Sequence, residues 1–156
     1  MKTLALTAAF GLLAGAAVAE SHAMAPSGDA AAGEEIFARN CVSCHVIVND
    51  DGETLAGRNS RTGPNLFAVT TRGIGMVEDF RYSDAILALG EQGEMWTEEN
   101  FVGYAQDPTG WLREITENNR ARGNMAFQLR SEEDALNVYA YLHSLAPAEE
   151  AEADSN

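Results

Sequence analysis

The feature that most constrains this chain is the pentapeptide CVSCH at residues 41–45. Cys41 and Cys44 are the only two cysteines, which excludes a framework of several disulfides. Two thiols at this spacing can form thioethers with the two vinyl groups of one haem, and the adjacent imidazole of His45 then meets the iron from one side. The pentapeptide therefore predicts one covalently attached haem c with His45 as an axial ligand.

Two other interpretations of the cysteine pair fit the sequence less well. A redox dithiol of the thioredoxin kind requires a βαβ context, and no such pattern surrounds residues 41–45. A zinc site requires further Cys or His ligands nearby. His143 is distant in the sequence and His22 lies close to the N-terminus. Haem attachment is therefore the interpretation that we adopt.

The two ends of the chain do not look like parts of a fold. Residues 1–19 combine Lys2, an apolar run and a small-residue pattern ending at Ala19, which predicts a secretory signal peptide cleaved after that residue. No later apolar run approaches the roughly 20 residues that span a bilayer. We expect a linker over residues 20–27, a folded domain over 28–146 and an acidic disordered tail over 147–156. Export predicts a periplasmic location.

The charge balance excludes one function class. The 156 residues include 24 acidic and 10 basic side chains, a formal net charge of -14, whereas a non-specific nucleic-acid binder needs clustered positive charge. One of the 10 basic residues is Lys2, so cleavage would leave nine arginines and no lysine. Hydrophobic residues make up 46%, which argues against a wholly disordered acidic chain.

Helix signals recur through residues 28–146, but no convincing run of strands does. Capping residues followed by apolar positions at helical spacing predict five helix starts. They are Asp29, Ser83, Thr97, Asp107 with Pro108 at the first helical position, and Ser131 with Asp134. Residues 46–82 are rich in Gly, Asn, Asp, Thr and Arg, which is typical of loops. The segment is long for a structureless loop in a compact domain. We expect an all-α fold whose long irregular loops are organised by the haem.

A second axial ligand must come from a small set of residues. The candidates are His22, His143 and the methionines, of which Met1 is removed and Met24 lies in the linker. His143 is expected at the surface near a helix C-terminus. The remaining methionines are Met76, Met95 and Met125. Met125 lies in a loop beside Gly123, and by residue chemistry alone it fits core filling as well as it fits ligation.

Ordered motifs from Gly33 to Leu142 make the chain resemble a class I cytochrome c, of the mitochondrial type and its bacterial cytochrome c2 relatives. The matching features are Gly33 and Phe37 in the first helix with Tyr141 in the last, the CVSCH motif, RTGPNL at 61–66, FRYSDA at 80–85, Arg72, Trp96, and Gly123–Asn124–Met125 with Phe127. The resemblance implies about five helices and long loops wrapped around one haem c.

The same resemblance implies roles for individual residues. The Pro64 carbonyl would accept a hydrogen bond from the proximal imidazole. Arg72, Tyr82 and Trp96 would bind the haem propionates, and Met125 would be the sixth ligand. Tyr104 would approach the methionine side.

The resemblance also implies what such a protein does. It would be a monomeric electron carrier rather than an enzyme. It would take electrons from a cytochrome bc1 complex and deliver them to a cytochrome oxidase or a photosynthetic reaction centre. Two protein ligands leave no open iron position, and His/Met ligation raises the reduction potential. No nucleic acid and no stable membrane insertion are expected.

Two departures from the mitochondrial pattern stand out. The segment from Pro108 to Met125 is longer than is usual in the family, and the ring of docking lysines is missing. We call residues 123–127, which contain Met125, the methionine loop. Arg113, Arg120 and Arg122 flank it, and we hypothesise that they form a small positive patch in an acidic protein. Two alternatives remain open at this point. One is a dedicated electron-donor subunit of a periplasmic reductase or dehydrogenase, and the other is a haem sensor with a displaceable methionine.

Overall fold

The computed structural model describes residues 25–147, so the signal peptide, His22, Met24 and the tail beyond Pro147 lie outside the described residues. Within that range the expected class is confirmed, with five α-helices, one short 3₁₀ helix and one small sheet. The elements are α1 (Ala30–Asn40), β1 (Val46–Val48), β2 (Thr54–Gly57), the 3₁₀ helix (Val69–Thr71), α2 (Asp84–Glu91), α3 (Glu98–Gln106), α4 (Pro108–Ile115) and α5 (Glu132–Ser144).

The helices begin where the capping residues predict. The side chains of Asp29, Thr97, Asp107 and Ser131 each accept a hydrogen bond from a backbone N–H in the first turn of the helix that follows. Ser83 occupies the N-cap position of α2, but its hydroxyl makes no capping bond there. Four of the five starts are therefore fixed by local side-chain chemistry, and α2 begins without that support.

Helices α1 and α5 cross in close contact. A Cβ added to Gly33 would lie 1.9 Å from the backbone oxygen of Asn137 and 2.8 Å from Cβ of Tyr141, so only glycine permits this approach. Next to the crossing, the rings of Phe37 and Tyr141 pack with their centroids 5.6 Å apart. Sequence positions more than 100 residues apart are thereby fixed to each other, and the attachment pentapeptide follows directly at the end of α1.

A two-stranded antiparallel hairpin occupies part of the segment that we expected to be irregular. Val46 pairs with Gly57 and Ile47 pairs with Ala56, and the side chain of Ile47 is fully buried. The turn passes through Gly52 at a φ of +80°, which favours glycine. Three β-branched residues followed by Asp-Gly are a short strand-and-turn signal, but β1 is too short to show alternation. The hairpin starts immediately after His45 and so restricts the backbone on the C-terminal side of this residue.

The apolar core falls into two clusters. The first joins α1, β1, α3 and α5, and the second joins α2, α4 and the segment before the methionine loop. Trp96 packs against both clusters. The fully buried members of the first cluster include Phe37 and Ile47, and those of the second include Ile74 and Leu112.

Among residues 25–147, none of the helices is long and apolar enough to cross a membrane.

Candidate haem site

The turn after α1 gathers the attachment pentapeptide into one compact unit. The backbone N–H groups of Cys44 and His45 both donate to the carbonyl of Cys41, at 3.1 and 2.9 Å. Both cysteines are free and half-buried. Burial, with a smaller contribution from Cys44, raises the pKa of the Cys41 thiol to about 11. The Cys41 sulfur is therefore a protonated thiol at neutral pH until it is covalently modified.

His45 is held by two residues of the loop that follows the hairpin. Its Nδ1 lies 2.9 Å from the carbonyl oxygen of Pro64. A carbonyl can only accept, so Nδ1 donates the proton and Nε2 keeps a free lone pair. Burial lowers the pKa of His45, and the hydrogen bond to Pro64 partly offsets that shift. The ring is therefore neutral at pH 7, which is the form that binds a metal ion.

Gly63 provides the space that the imidazole occupies. A Cβ added there would lie 2.3 Å from Cε1 and 2.5 Å from Nδ1 of His45. The backbone N–H of Gly63 also donates to the carbonyl of Cys44 at 2.7 Å, which joins this loop to the attachment turn. The expected pairing of Pro64 with the imidazole is therefore present, and Gly63, to which the sequence analysis gave no role beyond its place in the motif at 61–66, is a site residue as well.

The structure brings Arg72, Tyr82 and Trp96 together at one end of the site. The guanidinium of Arg72 donates to the carbonyls of Asn65 and Phe67, at 2.5 and 2.8 Å. Burial raises the pKa of Tyr82, and the positive charge of Arg72 acts against that shift. The backbone of Arg72 accepts from the N–H of Trp96 at 3.5 Å. The side chains of Arg72 and Tyr82 are therefore polar groups within electrostatic reach of each other, and the binding of propionates by the three residues stays a prediction.

Met125 lies in the loop between α4 and α5, and its neighbours Gly123 and Asn124 bring that loop next to Tyr104 and to the segment before α2. The position of a Cβ on Gly123 would be 3.4 Å from the hydroxyl of Tyr104, and Asn124 donates its side-chain amide to the carbonyl of Arg81 at 3.3 Å. Met125 itself is half-buried. Met76 and Met95 are 61% and 43% exposed, respectively, so neither is enclosed as Met125 is.

An aromatic group lines the methionine side. Tyr104 packs edge-on against Trp96 and Trp111, with centroids 5.2 and 5.7 Å away, and the two indoles stack at 5.9 Å. Burial raises the pKa of Tyr104 to about 12. The hydroxyl of Tyr104 lies close to Gly123, two residues before Met125, and its approach to Met125 itself stays a prediction. The stacking of the two tryptophans was not foreseen, because it depends on how α3 and α4 pack.

These residues fit a covalently bound haem. The donor set contains two thiols, one imidazole with a free Nε2, and one half-buried thioether. Trp96 packs against the apolar side chains of both core clusters, and Arg72 and Tyr82 supply polar groups near it. His143, the remaining described histidine, instead stacks half-buried on Tyr139 in the last turn of α5.

Comparison with known proteins assigns the family. Residues 28–88 match the model of cytochrome c oxidase, cbb3-type, subunit III. The chain is 55% identical over 124 residues to cytochrome c2 of Rhodovulum adriaticum, covering 80% of this chain and 98% of that protein. It is 45% identical over 147 residues to cytochrome c2 of Cereibacter sphaeroides, covering 94% and 95%.

A solved structure gives the same answer. The crystal structure of cytochrome c2 from Rhodobacter sphaeroides superposes with a TM-score of 0.73 at 47% identity, covering 76% of this chain and 96% of that one. The chain therefore belongs to the cytochrome c2 family of class I cytochromes c, electron-transport proteins that carry one covalent haem c.

Proposed function

We propose that the mature chain is a soluble periplasmic carrier that transfers one electron at a time through a haem c with His45 and Met125 as axial ligands. Thioether bonds through Cys41 and Cys44 would attach the haem. Pro64 would orient the proximal imidazole, and Arg72, Tyr82 and Trp96 would bind the propionates. The donor would be a cytochrome bc1 complex, and the acceptor a cytochrome oxidase or a photosynthetic reaction centre.

The observation that carries the proposal is the state of His45. Its Nδ1 is bonded to Pro64 at 2.9 Å and its pKa is lowered by burial, so Nε2 is free and unprotonated for iron. A backbone partner on the second ring nitrogen fixes both the tautomer and the orientation of a metal-binding histidine. The half-buried Met125, in contrast to the exposed Met76, supports a thioether as the opposite ligand.

The chain's own residues make the site suitable for transfer without bond making. Bound haem iron supplies a centre that changes oxidation state by one electron, and a neutral thioether opposite an imidazole raises its reduction potential. His45 and Met125 would both hold the iron, which would leave substrate and oxygen no position to occupy. The packed aromatic side chains of Trp96, Tyr104 and Trp111 would limit access of water on the methionine side.

Charged residues beside the site suggest how partners dock. Arg81, Arg120 and Arg122 are exposed and line one surface groove of about 880 Å³ between α2 and the segment after α4. Asp84 and Glu117 line the same groove, so its charge is mixed. In a chain of net charge -14, this local concentration of arginine is the surface that an acidic partner would approach.

The proposal is tested by the visible and near-infrared spectrum of the oxidised holoprotein. A weak sulfur-to-iron charge-transfer band that is lost in Met125→Ala is the expected result. A high-spin spectrum without that band, together with rapid carbon monoxide binding in the reduced state, would overturn the carrier function and favour a sensor. Association rates with isolated bc1 complex, measured against ionic strength, test the docking surface separately.

A further inference from the structure

Arg113 differs from the arginines with which the sequence grouped it. Arg120 and Arg122 are exposed, and their side chains make no hydrogen bond within residues 25–147. Arg113 is half-buried, and its Nε donates to the backbone carbonyl of Ala121 at 3.3 Å. A guanidinium engaged with its own chain in this way is a poor docking group, so Arg113 calls for a different explanation.

Arg113 closes the segment 114–121 at both ends. Its backbone carbonyl accepts from the N–H of Asn118 at 3.1 Å, and its side chain reaches the carbonyl of Ala121. Between these two points, the side chain of Asn118 accepts from the N–H of Arg120 at 2.9 Å, and its carbonyl accepts from the N–H of Ala121 at 2.9 Å. The segment between α4 and the methionine is therefore a loop closed by its own hydrogen bonds.

The closed loop ends at an anchor close to the methionine. Ala121 is 5% exposed and packs in the second core cluster beside Leu112. Beyond it, the N–H of Gly123 lies 3.4 Å from the hydroxyl of Thr109, and Asn124 donates to the carbonyl of Arg81 at 3.3 Å. Of these three connections, only that of Arg113 uses a charged donor, and charged donors give the stronger hydrogen bonds.

We propose that Arg113 is a positioning residue for Met125, which holds the loop closed against α4 so that the thioether stays at the iron. The proposal rests on the proposed function, because it takes Met125 as the sixth ligand. A thioether is a weak donor, so its occupancy depends on the loop that presents it. Losing the Arg113 side-chain bond removes the direct hydrogen bond between α4 and Ala121, which loosens the end of the loop nearest the methionine and lets an outside ligand compete for the iron.

Binding of free imidazole to the ferric holoprotein tests this role. Arg113→Leu and Arg120→Leu each remove one positive charge from the same segment, but only the first removes the donor that bonds Ala121. We expect Arg113→Leu to bind imidazole roughly tenfold more tightly than the unmodified protein, equivalent to about 1.4 kcal/mol. Arg120→Leu should stay within about twofold, and Arg113→Gln, whose amide nitrogen occupies the position of Nε, should restore most of the difference.

Equal tightening in Arg113→Leu and Arg120→Leu would show that the lost charge, and not the lost bond, causes the effect, and it would overturn the proposal. No change in either variant would also overturn it. If the Arg113 variants fail to retain haem, nuclear magnetic resonance of the unmodified protein decides. The Nε proton of Arg113 should exchange slowly with solvent and that of Arg120 rapidly, whereas equal exchange would contradict the bond. An unmodified protein without the sulfur band would refute the proposed function itself, whereas a normal band with unaltered Arg113 variants would refute only this role.

Discussion

His45 and Met125 are held in place by different kinds of structure. His45 follows the attachment cysteine directly, bonds Pro64 at 2.9 Å and leads into a hairpin whose first strand is partly buried. Met125 lies 80 positions further along, in a loop that is bonded through its neighbours, at 3.3 to 3.4 Å before the methionine and at 2.8 Å after it, where the N–H of Leu129 donates to the carbonyl of Ala105. The imidazole is thus held by a bond of its own, whereas the methionine is positioned by bonds of the residues around it.

The difference matches what each residue would have to do as a ligand in the proposed function. An imidazole held by a turn, a glycine contact and a backbone carbonyl would stay on the iron in both oxidation states. A thioether on a long loop can be released by small changes elsewhere in the loop. We therefore expect variants on the His45 side to affect folding and haem retention, and variants on the Met125 side to affect the spectrum and ligand binding.

The largest expected effect is the loss of the haem itself. The double variant Cys41→Ala with Cys44→Ala cannot form thioethers, and without the haem the two core clusters lose the group that joins the two ligand sides. We expect cooperative folding to disappear, seen as loss of the near-ultraviolet circular dichroism and of a thermal transition. A native-like near-ultraviolet spectrum for the haem-free protein would contradict this and would mean that the ligand sides assemble on their own.

Gly63→Ala should have the next largest effect. The added Cβ would lie 2.3 Å from Cε1 of His45, so the ring must shift and its bond to Pro64 must weaken. We expect a loss of about 3 kcal/mol in the free energy of unfolding, measured by guanidinium denaturation of the holoprotein. The control is Gly52→Ala, which has open space around it but a φ of +80°, and which should cost only about 1 kcal/mol without changing the haem spectrum. Equal losses of unfolding free energy in the two variants would show that the site accommodates a methyl group beside the imidazole without strain.

Met125→Ala should change ligand binding more than folding. The sulfur-to-iron band should vanish and the reduced protein should bind carbon monoxide rapidly, while the free energy of unfolding falls by about 2 kcal/mol, because the side chain is only half-buried. The matched control is Met76→Ala, at a methionine that is 61% exposed, which should leave the band unchanged. A variant at Met125 that still excludes carbon monoxide would point to another sixth ligand.

The smallest expected effect is confined to alkaline pH. Burial raises the pKa of Tyr104 from 10.0 to about 12, so the unfolded chain releases the phenol proton before the folded protein does. Stability should therefore be unaffected by this group below pH 10 and fall between pH 10 and 12. At pH 11 the titration of this phenol should lower the free energy of unfolding of the unmodified protein by about 1.4 kcal/mol. Tyr104→Phe has no phenol to titrate and should not show this loss. Parallel stability curves from pH 8 to 11.5 would show that the phenol is not buried beside the methionine loop.

Local chemistry accounts for the parts of the fold that the sequence predicted well. The caps at Asp29, Thr97, Asp107 and Ser131 act within one helical turn, so their effect can be read from neighbouring residues. The hairpin after His45 escaped prediction because its strands are three and four residues long and gain their stability from the buried Ile47 and from Asn65 along the other edge of β1.

The sequence by itself determined the cofactor chemistry. The spacing of Cys41, Cys44 and His45 is a property of one turn of chain, and the ordered motifs indicated the family without any coordinates. The tertiary structure decided which surrounding groups serve the two ligands. Gly63 is in contact with the imidazole, Trp111 stacks on Trp96, and Arg113 bonds its own chain while Arg120 remains exposed. These contacts depend on packing between segments far apart in the sequence, so the residue types next to each position do not predict them.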